Sequence, residues 1–463
     1  MTNYLQEIFT LFRNLTLNAV GIQRDFFSLL QDGDVERALS MMQDRHEDVD
    51  NAIREYNPQT HDVMKRPNKR RKGGNPYITE KLPRSRQRYI NEVELFFLLG
   101  NPLKWSKEEG DDDAYSLFVK FNKDYRLDSL RRTLKRLAGA ETEAALVYHL
   151  YQEDSEMHVK PFVASRSTGY DLRPLFDQYG NMLAFALGYR IKGEGGKTVQ
   201  HWDFYTSDVI FYCSRSSMGW DVNPMKNIIG KIPVLYARQP KAWDGVEPRI
   251  KREEYLDSKV ADTNNYFADP IAAATADVVQ GMKSDQTDRI GQLLQLTGRE
   301  SRFEYINPPQ NSETRRDEML TLQSSILFDT YTPDFSYDSI KGLGTLSGAA
   351  IRNAMVLGYI KRANRMEIYD ELFDRERSVI IAILGVMNPD RKAALDALEI
   401  TFEFDDPFAS QASEDWSSIA SLYTSGICSL ETAVSMLALT KAPEEEVARI
   451  RAAALASLRQ ERP

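Results

Sequence analysis

The sequence contains few of the residues that usually form redox, metal or hydrolytic sites. Only two cysteines and five histidines occur in 463 residues, and Cys213 and Cys428 lie far apart without metal-ligand spacing. The histidines form no HxxxH or HxH pair and no recognisable catalytic triad. They are His46, His61, His149, His158 and His201. We therefore expect free buried thiols, surface imidazoles, no metal, no cofactor and no enzymatic activity.

Long hydrophobic runs are also missing. The longest, residues 379–384, is far shorter than the roughly 20 apolar residues that a membrane-spanning helix needs. The first residues, 1–4, lack the basic start and apolar core of a signal peptide. These absences predict an intracellular, soluble protein with no membrane partner.

Acidic residues outnumber basic ones, and one segment concentrates positive charge. The net charge of −9 argues against a protein that coats nucleic acid, but it is compatible with one that lets nucleic acid slide past. The basic segment consists of Lys65, Arg66, Lys69, Arg70, Arg71 and Lys72. It is suited equally to contacting DNA phosphates or an acidic partner such as a capsid subunit, and to being a solvated loop. No aromatic residues interleave its arginines, so base stacking is not expected there.

Two motifs that resemble binding sites are better explained as ordinary structure. Residues 195–198 (GGKT) look like the end of a phosphate-binding loop, but the leading glycine is replaced by Ile191. The motif also lies between two predicted strands and opens no helix, so a hairpin turn is favoured. The acidic run 108–113 lacks the alternation of a calcium loop, and a solvated run of charges is favoured.

Hydrophobic periodicity predicts an α+β protein. Helical spacing covers residues 4–56 with a break at 32–34, then 84–99, 114–137, a segment from 249, a segment ending before Pro333, and 347–387. β-Branched and aromatic runs predict strands over 145–151, 158–163, 184–191, 199–206, 209–212 and 399–404. Between the first helices and the strands, residues 65–74 are predicted to be an irregular linker.

Five stretches, in this order, carry a recognisable pattern. They are 87–93 (QRYINEV) leading into 96–103 (FFLLGNPL), 230–236 (GKIPVLY), 252–268 with DTNNYFA at its end, 346–351 (LSGAAI), and 422–433 (LYTSGICSLETA). Together they resemble the portal family of long-tailed, siphophage-type bacteriophages. The resemblance implies a structural protein that forms a ring-shaped channel at one capsid vertex for DNA packaging, retention and ejection.

The resemblance also implies a division of the chain into the parts of a portal subunit. The wing, with N-terminal helices and β hairpins, covers residues 1–248 and returns as a long helix and strand over 347–411. The two stem helices cover 249–276 and 312–331, on either side of a small α/β clip at 277–311. The tunnel loop covers 332–346, and a short helical crown covers 412–463.

Residue roles follow from these positions. The tunnel-loop residues expected to face DNA are Ser336, Tyr337, Asp338, Lys341, Gly342 and Gly344. Lys341 is the candidate for contacting phosphates, although it is equally suited to pairing with Asp338 or pointing into solvent. The clip residues expected to dock the packaging motor and later the tail adaptor are Arg289, Arg299, Arg302 and Tyr305.

The implied partners are further copies of the chain in a ring, usually of twelve subunits, and double-stranded DNA that passes without sequence recognition. The others are the terminase large subunit, the head-tail adaptor, and the major capsid and scaffolding proteins. The implied location is the virion, after assembly in the host bacterial cytoplasm. The alternatives are a packaging nuclease or motor, and a head-tail connector that lines no channel. Charged positions on the long helix are favoured as an exposed face over a subunit contact: Lys361, Arg362, Arg365, Glu367 and Asp370.

Overall fold

The computed structural model combines helices with antiparallel sheets, which confirms the predicted α+β class. It describes residues 21–23, 25–70, 76–154, 156–192, 196–268, 272–274, 303–305, 312–336, 341, 355–408, 419–437 and 446–452. Within this part of the chain, every helix is too short or too polar to span a bilayer. The predicted crown lies partly inside it, in helical segments at 419–424, Leu430–Leu437 and 446–452.

The helices that matter for the site come from widely separated parts of the sequence. In chain order they are α1 (21–31, apart from residue 24), α2 (Val35–Met41), α3 (His46–Tyr56), α4 (Arg86–Leu99), α5 (Asp112–Asp124), α6 (Leu127–Glu141), α7 (Glu247–Ala268), α8 (Ser312–Asp329), α9 (Val356–Met387) and α10 (Lys392–Asp396). Short 3₁₀ turns cover Pro58–Thr60, Asp62–Lys65 and Pro389–Arg391.

The strands form two larger sheets and three two-stranded pairs, and all their pairings are antiparallel. The five-stranded sheet has the order β10-β9-β8-β7-β6, and the three-stranded sheet has the order β11-β4-β5. Their strands are β4 (Glu143–Glu153), β5 (Glu156–Ala164), β6 (Asp171–Phe176), β7 (Met182–Lys192), β8 (Thr198–Tyr205), β9 (Val209–Ser216), β10 (Gly219–Lys226) and β11 (Val234–Arg238). The pairs are β1 (Lys69–Arg70) with β2 (Pro76–Tyr77), β3 (Lys104–Glu109) with β14 (Glu399–Glu403), and β12 (Ala272–Ala274) with β13 (Phe303–Tyr305).

The two larger sheets pack face to face, and helices cover their outer faces. Val147 and Val234 of the three-stranded sheet meet Phe185 of the five-stranded sheet in one apolar cluster. The other face of the five-stranded sheet is covered by α1 and α2, where Phe26 packs edge-on against Phe204 at 5.9 Å. The remaining face of the three-stranded sheet packs on α5, α6 and α9 in the largest core cluster. Because both sheets are covered on both faces, burial of apolar side chains fixes the register of their strands.

Prolines occupy two of the open edges of these sheets. Pro161 on β5 is paired with Tyr148 on β4. The Tyr148 N–H donates to the Pro233 carbonyl on the β11 side, so this pair shares no backbone hydrogen bond. The backbone nitrogen of Pro161 therefore points away from the sheet. On β6, the Pro174 carbonyl accepts from the Gln43 N–H, so its nitrogen also faces outward. Proline therefore removes a donor from each edge without removing a bond within the sheet, which discourages pairing with another strand.

A non-helical strap, residues 79–85, lies along α7 and is hydrogen-bonded to it. The N–H groups of Glu80, Leu82 and Arg84 donate to Asp262 Oδ1 at 2.8 Å, Ser258 Oγ at 3.0 Å and Glu254 Oε1 at 2.8 Å, respectively. Two extended residues advance about 6.6 Å and four helical residues about 6.0 Å, so alternate strap residues match every fourth helix residue.

The structure differs from the predicted elements where tertiary pairing overrides local pattern. The predicted helix 114–137 is two helices, because Arg126 adopts a left-handed conformation (φ 50°) between α5 and α6. Strands β3, β6 and β10 were not predicted from periodicity, and β3 pairs with the distant β14. The basic linker is not wholly irregular, because it contains β1. The strands at 145–151, 158–163, 184–191 and 399–404 are confirmed within a few residues.

Candidate functional site

Helices α7 and α8 pack against each other where α7 begins and α8 ends. Ile250 and Ile326 lie in one buried cluster with Trp243. Arg249 pairs with Asp329, and Arg252 pairs with Glu318 at 2.8 Å. These contacts place the end of α8 against α4 and the start of α7, close to the start of the predicted tunnel loop.

The C-terminal end of α8 is closed by a strained turn. The Thr332 N–H donates to the Leu327 carbonyl at 2.8 Å and the Tyr331 N–H to the Phe328 carbonyl at 3.0 Å, the bond pattern of a Schellman motif. The left-handed position of this motif is usually glycine, but here it is Tyr331 with φ 49°. A non-glycine residue in this region carries strain of about 1 kcal/mol.

Both ends of the segment 337–354 are anchored on the same face of α4. The Tyr89 hydroxyl donates to the Pro333 carbonyl and accepts from the Phe335 N–H, both at 2.7 Å. The Phe335 ring stacks on Phe97 at 6.3 Å, and Met355 is buried in the same cluster. Because Tyr89 and Phe97 are eight residues apart, they lie on one side of the helix. Helix α4 thus contacts the described residues on both sides of the segment 337–354.

A glycine on α9 makes this anchor possible. A Cβ atom added at Gly358 would lie 2.2 to 2.5 Å from three atoms of the Phe97 ring. The Phe97 ring therefore lies directly against the α9 backbone, one turn after Met355. No larger residue fits at position 358 unless the aromatic cluster moves.

On another face of α4, a buried carboxylate is surrounded by cations from α6 and α9. Glu94 Oε1 lies 2.5 Å from Lys135 Nζ and 3.1 Å from Arg365 Nε, and Glu94 Oε2 lies 3.6 Å from Lys361 Nζ. Gln239 also donates to Glu94 Oε1 at 3.0 Å. Burial alone would raise the pKa of Glu94, but the charges of Lys135, Lys361 and Arg365 hold it well below its usual range.

Lys361 links this cluster to the end of α8. Its ammonium donates to Thr332 Oγ1 at 3.1 Å and to the carbonyls of Ile90 and Ala242 at 3.5 Å. Burial and the neighbouring cations lower the pKa of Lys361 to about 8, although the charge of Glu94 opposes this change. The side chain therefore joins α9, α4, the turn before α7 and the first residue of the predicted tunnel loop.

Lys361, Arg362 and Arg365 correct the predicted exposed face of the long helix. All three turn inward, and Arg362 donates to the Phe404 carbonyl at 2.7 Å. Glu367 and Asp370 are exposed, as predicted. Helix α9 has no clear amphipathic pattern, so the sequence gave no sign that these three basic side chains would be covered by other parts of the protein.

His61 corrects the expectation that the histidines are surface residues. Its Nδ1 lies 2.6 Å from Glu254 Oε1, and its Nε2 lies 2.7 Å from the Glu55 carbonyl oxygen. Both partners are acceptors, so the geometry suits an imidazolium that donates from both nitrogens. Burial lowers the pKa of His61, but the bond to Glu254 and the charge of that residue outweigh it and raise the pKa.

The predicted tunnel-loop residues lie largely outside the described part of the chain. Ser336 is exposed, and its N–H and hydroxyl donate to the Asp334 carboxylate at 2.9 and 3.1 Å. Lys341 is also exposed. Tyr337, Asp338, Gly342 and Gly344 lie outside the described residues, so their DNA-facing role stays a prediction.

The other predicted contact residues are divided in the same way. Among the clip residues, Tyr305 belongs to β13, and Arg289, Arg299 and Arg302 lie outside the described residues. In the basic segment, Lys65 is exposed and pairs with Asp62 at 3.0 Å. Lys69 and Arg70 form β1, and Arg71 and Lys72 lie outside the description.

Arg66 differs from the rest of the basic segment because it points into the protein. Its guanidinium pairs with Asp262 of α7 at 2.7 Å and lies over the Tyr255 ring at 5.5 Å. It therefore secures the strap region to α7 and is not available to an external partner. A role for the exposed remainder of the segment stays a prediction.

The motifs that were explained as ordinary structure are confirmed as such where they are described. Lys192 and Thr198 pair across the β7–β8 hairpin, which contains the GGKT motif, and Gly196 has a positive φ of 76°. In the acidic run, Glu109 ends β3 and Asp111 caps α5 by accepting from two N–H groups. Cys213 is buried, but Cys428 is only half-buried.

Comparison with known proteins identifies the family. A family model described as phage portal protein, SPP1 Gp6-like, matches residues 38–457. No curated protein matches the sequence. The match over most of the chain confirms the resemblance carried by the five motifs.

Three solved structures of gene transfer agent particles contain chains that resemble this one distantly. A chain from the neck of the native particle, computed with C12 symmetry, has a TM-score of 0.39 at 13% identity and covers 77% of this chain and 91% of its own. A chain from the native virion has a TM-score of 0.39 at 12% identity, with coverage of 77% and 89%. A chain from the neck of the empty particle, computed with C6 symmetry, has a TM-score of 0.40 at 12% identity, with coverage of 85% and 94%.

At these TM-scores, the three likenesses define neither the fold nor the function. The family model alone carries the assignment, since it spans most of the sequence from α2 to the last described helical segment. The chain belongs to the SPP1 Gp6-like family of phage portal proteins.

Proposed function

We propose that copies of this chain assemble into a closed ring, usually of twelve subunits, that conducts double-stranded DNA through a capsid vertex of the virion. The observation that carries the proposal is the family match over residues 38–457. In such a ring the contacts are heterologous, because one face of each subunit meets a different face of the next. The proline-protected sheet edges favour helix and loop contacts between subunits over strand pairing.

In this proposal α7 and α8 are the two stem helices, and residues 332–346 form the tunnel loop. Two features support the assignment: α8 ends at a buried turn that contacts the wing, and α4 anchors both sides of the segment 337–354. In this proposal α4 holds the two points between which the tunnel loop lines the narrow part of the channel. The exposed Lys341 is the candidate for weak contact with phosphates, without sequence recognition.

The clip, residues 277–311, is proposed to dock the terminase large subunit and later the head-tail adaptor. The exposed part of the basic segment is proposed to contact an acidic partner or DNA. The capsid and scaffolding proteins are proposed to surround the wing, with assembly in the host cytoplasm before incorporation into the virion. The family is structural, and we propose that the chain has no catalytic activity of its own.

The first experiment is to measure the native mass of the purified full-length protein and to image the same sample. A closed ring of about twelve 53.0 kDa chains with a central hole is the expected result. A compact monomer that cleaves DNA or hydrolyses ATP would overturn the proposal. Steady ATP hydrolysis by pure rings would overturn the absence of catalysis alone.

A second experiment tests the tunnel-loop assignment. Lys341→Ala is expected to leave ring assembly unchanged and to alter DNA retention or packaging in particles that carry the variant. Because Lys341 is exposed, folding of the subunit should not be affected. Loss of the ring would instead place Lys341 at a subunit contact.

A further inference from the structure

The interior beside Glu94 contains more positive than negative charge. Lys135 and Arg365 both pair with Glu94, so one carboxylate already faces two cations before Lys361 is counted. In the part of the chain that the structure describes, none of the three cations forms a second ion pair. Lys361 is also the most distant, at 3.6 Å, and the Glu94 oxygen nearest to it accepts no hydrogen bond. Pairing with Glu94 therefore does not account for a lysine at position 361.

The contacts of Lys361 point to a different role. Its shortest contact is the 3.1 Å bond to Thr332 Oγ1, and Thr332 is the residue whose N–H closes the C-terminal turn of α8. The other bonds reach backbone carbonyls on α4 and in the turn before α7. We propose that Lys361 is a positioning residue that fixes the end of α8, and with it the start of the tunnel loop, at an energetic cost to the fold. Naming that loop rests on the proposed function.

The energetic cost follows from the charges around the ammonium. Burial, Lys135 and Arg365 all disfavour the charged form of Lys361, and the charge of Glu94 offsets them only in part. Removing one member of a buried ion pair is strongly destabilising because it leaves the charge of its partner uncompensated. Here Glu94 would keep Lys135 and Arg365. A residue selected for stability alone would therefore be methionine or leucine at this position.

The strain at Tyr331 makes such a fixing contact necessary. The turn at the end of α8 includes a tyrosine in the left-handed region, where the chain relaxes unless neighbouring contacts hold it. Thr330 and Thr332 share a hydroxyl contact of 2.9 Å, and Lys361 donates to the same hydroxyl of Thr332. The ammonium also lies near the negative end of the α8 dipole, which favours this arrangement.

The test compares Lys361→Met with Thr332→Val in the full-length protein. Hydrogen exchange of the Tyr331 and Thr332 amides should become about tenfold faster in both variants, because each removes the same bond to a charged donor. The urea midpoint should stay unchanged or rise for Lys361→Met, and it should fall for Thr332→Val, which leaves the ammonium with one acceptor fewer. Thr332→Ser keeps the hydroxyl and should match the wild type in exchange, and its urea midpoint should fall less than that of Thr332→Val, because it loses only a buried methyl group.

Two outcomes would overturn the proposal. The first is exchange at Tyr331 and Thr332 that Lys361→Met leaves unchanged, and the second is a urea midpoint that falls as far for Lys361→Met as for Thr332→Val. The double variant sharpens the test, because its exchange should be no faster than that of either single variant. Additive acceleration would show that the two residues act separately.

The same samples test the role of Lys361 and the proposed ring assembly independently. Imaging of the wild type and of each variant should show intact rings, and DNA retention in particles should change for Lys361→Met and Thr332→Val but not for Thr332→Ser. If the wild type forms no ring, the proposed function fails, and the exchange comparison still decides the role of Lys361. If rings form and retention follows the exchange rates, both proposals are supported.

Discussion

The two halves of α9 each bury charged groups, but they balance them differently. In the C-terminal half, Glu376 accepts from Arg131 Nε and from the Tyr148 hydroxyl, both at 2.7 Å. Arg131 donates further to Asp128 at 2.8 Å and to Asn122 at 2.6 Å. In the N-terminal half, three cations share Glu94, and none of them forms another ion pair with a described residue. The first cluster pairs one buried arginine with one buried glutamate, and the second contains more buried cations than carboxylates.

The surroundings of the clusters explain this difference. The cluster of Arg131 and Glu376 lies between α6, β4 and α9 in the largest core, and it holds these elements in a single arrangement. The cluster of Glu94 extends to Thr332 at the end of α8, where the predicted tunnel loop begins. If Lys361 has the proposed positioning role, charge balance distinguishes the cluster that stabilises the fold from the cluster that positions a neighbouring element.

The largest effect is expected for Glu94→Gln. This change removes the carboxylate with which all three buried cations pair in the described part of the chain. We expect a loss of about 3–5 kcal/mol in the free energy of unfolding. Urea denaturation followed by circular dichroism measures it. Glu92→Gln on the same helix is the control, because Glu92 and Arg136 form a half-exposed pair at 2.7 Å that should contribute less than about 1 kcal/mol. Equal losses in the two variants would mean that the Glu94 cluster is hydrated in solution.

The next effect is expected for Arg131→Met in the balanced cluster. Glu376 would remain buried with only the Tyr148 hydroxyl as a partner, and the loss should be about 3 kcal/mol. Because Arg131 and Glu376 form one buried ion pair, adding Glu376→Leu to Arg131→Met removes the unpaired carboxylate. The double variant should therefore recover at least half of the lost stability. Urea unfolding of the single and double variants measures the recovery. If the double variant is less stable than Arg131→Met, the two charges do not act as a pair, and the contrast between the halves of α9 fails.

A smaller effect on the free energy of unfolding is expected from changes in packing alone in the two halves of α9. Gly358→Ala should lose about 1–3 kcal/mol, because its Cβ would lie within 2.5 Å of the Phe97 ring. Gly385→Ala, in the other half, meets nothing closer than Lys392 Cγ at 3.5 Å and should be neutral or gain up to about 1 kcal/mol from helix propensity. Thermal unfolding of both variants tests the difference. Two gains of equal size would show that α9 does not contact α4 as closely as described.

The sequence predicted the fold class and the family better than it predicted the site. The α+β class and several strands follow from residue pattern, because both sheets bury apolar residues at regular spacing. Strand β3, with the sequence KWSKEE, was missed because its partner β14 lies almost 300 residues away and supplies the reason for its extended shape. Local pattern does not contain such pairings.

The buried clusters were missed for a related reason. Lys361 and Arg365 look like an exposed charged face when α9 is read alone, and only the positions of α4 and α6 show that they are covered. One signal was available in α4, where Glu94 stands among Val93, Leu95, Phe97 and Leu98 in an otherwise apolar stretch. A lone carboxylate in such a stretch predicts a buried cation, although it does not identify which one.

The last expected effect is a dependence on pH between about pH 8 and about pH 10 that comes from Lys361 in the cluster of Glu94. In the folded chain Lys361 has a pKa of about 8, below its ordinary value of 10.5, so between these values the unfolded chain binds more protons. Because the free energy of unfolding then rises with pH, the wild type gains stability over this window. Lys361→Met lacks the titrating group, so its advantage over the wild type should be largest below about pH 8 and shrink towards about pH 9.5.

Subtracting the two curves isolates this contribution. Tyr148 and Tyr369 have raised pKa values because they are buried, so they favour unfolding only above about pH 10, and they are the same in both proteins. Urea unfolding at a series of pH values gives the difference between wild type and variant. A difference that stays constant from about pH 7 to about pH 9.5 would mean that Lys361 titrates as an ordinary lysine. The ammonium would then not be disfavoured by its neighbours, and the halves of α9 would differ in position but not in charge balance.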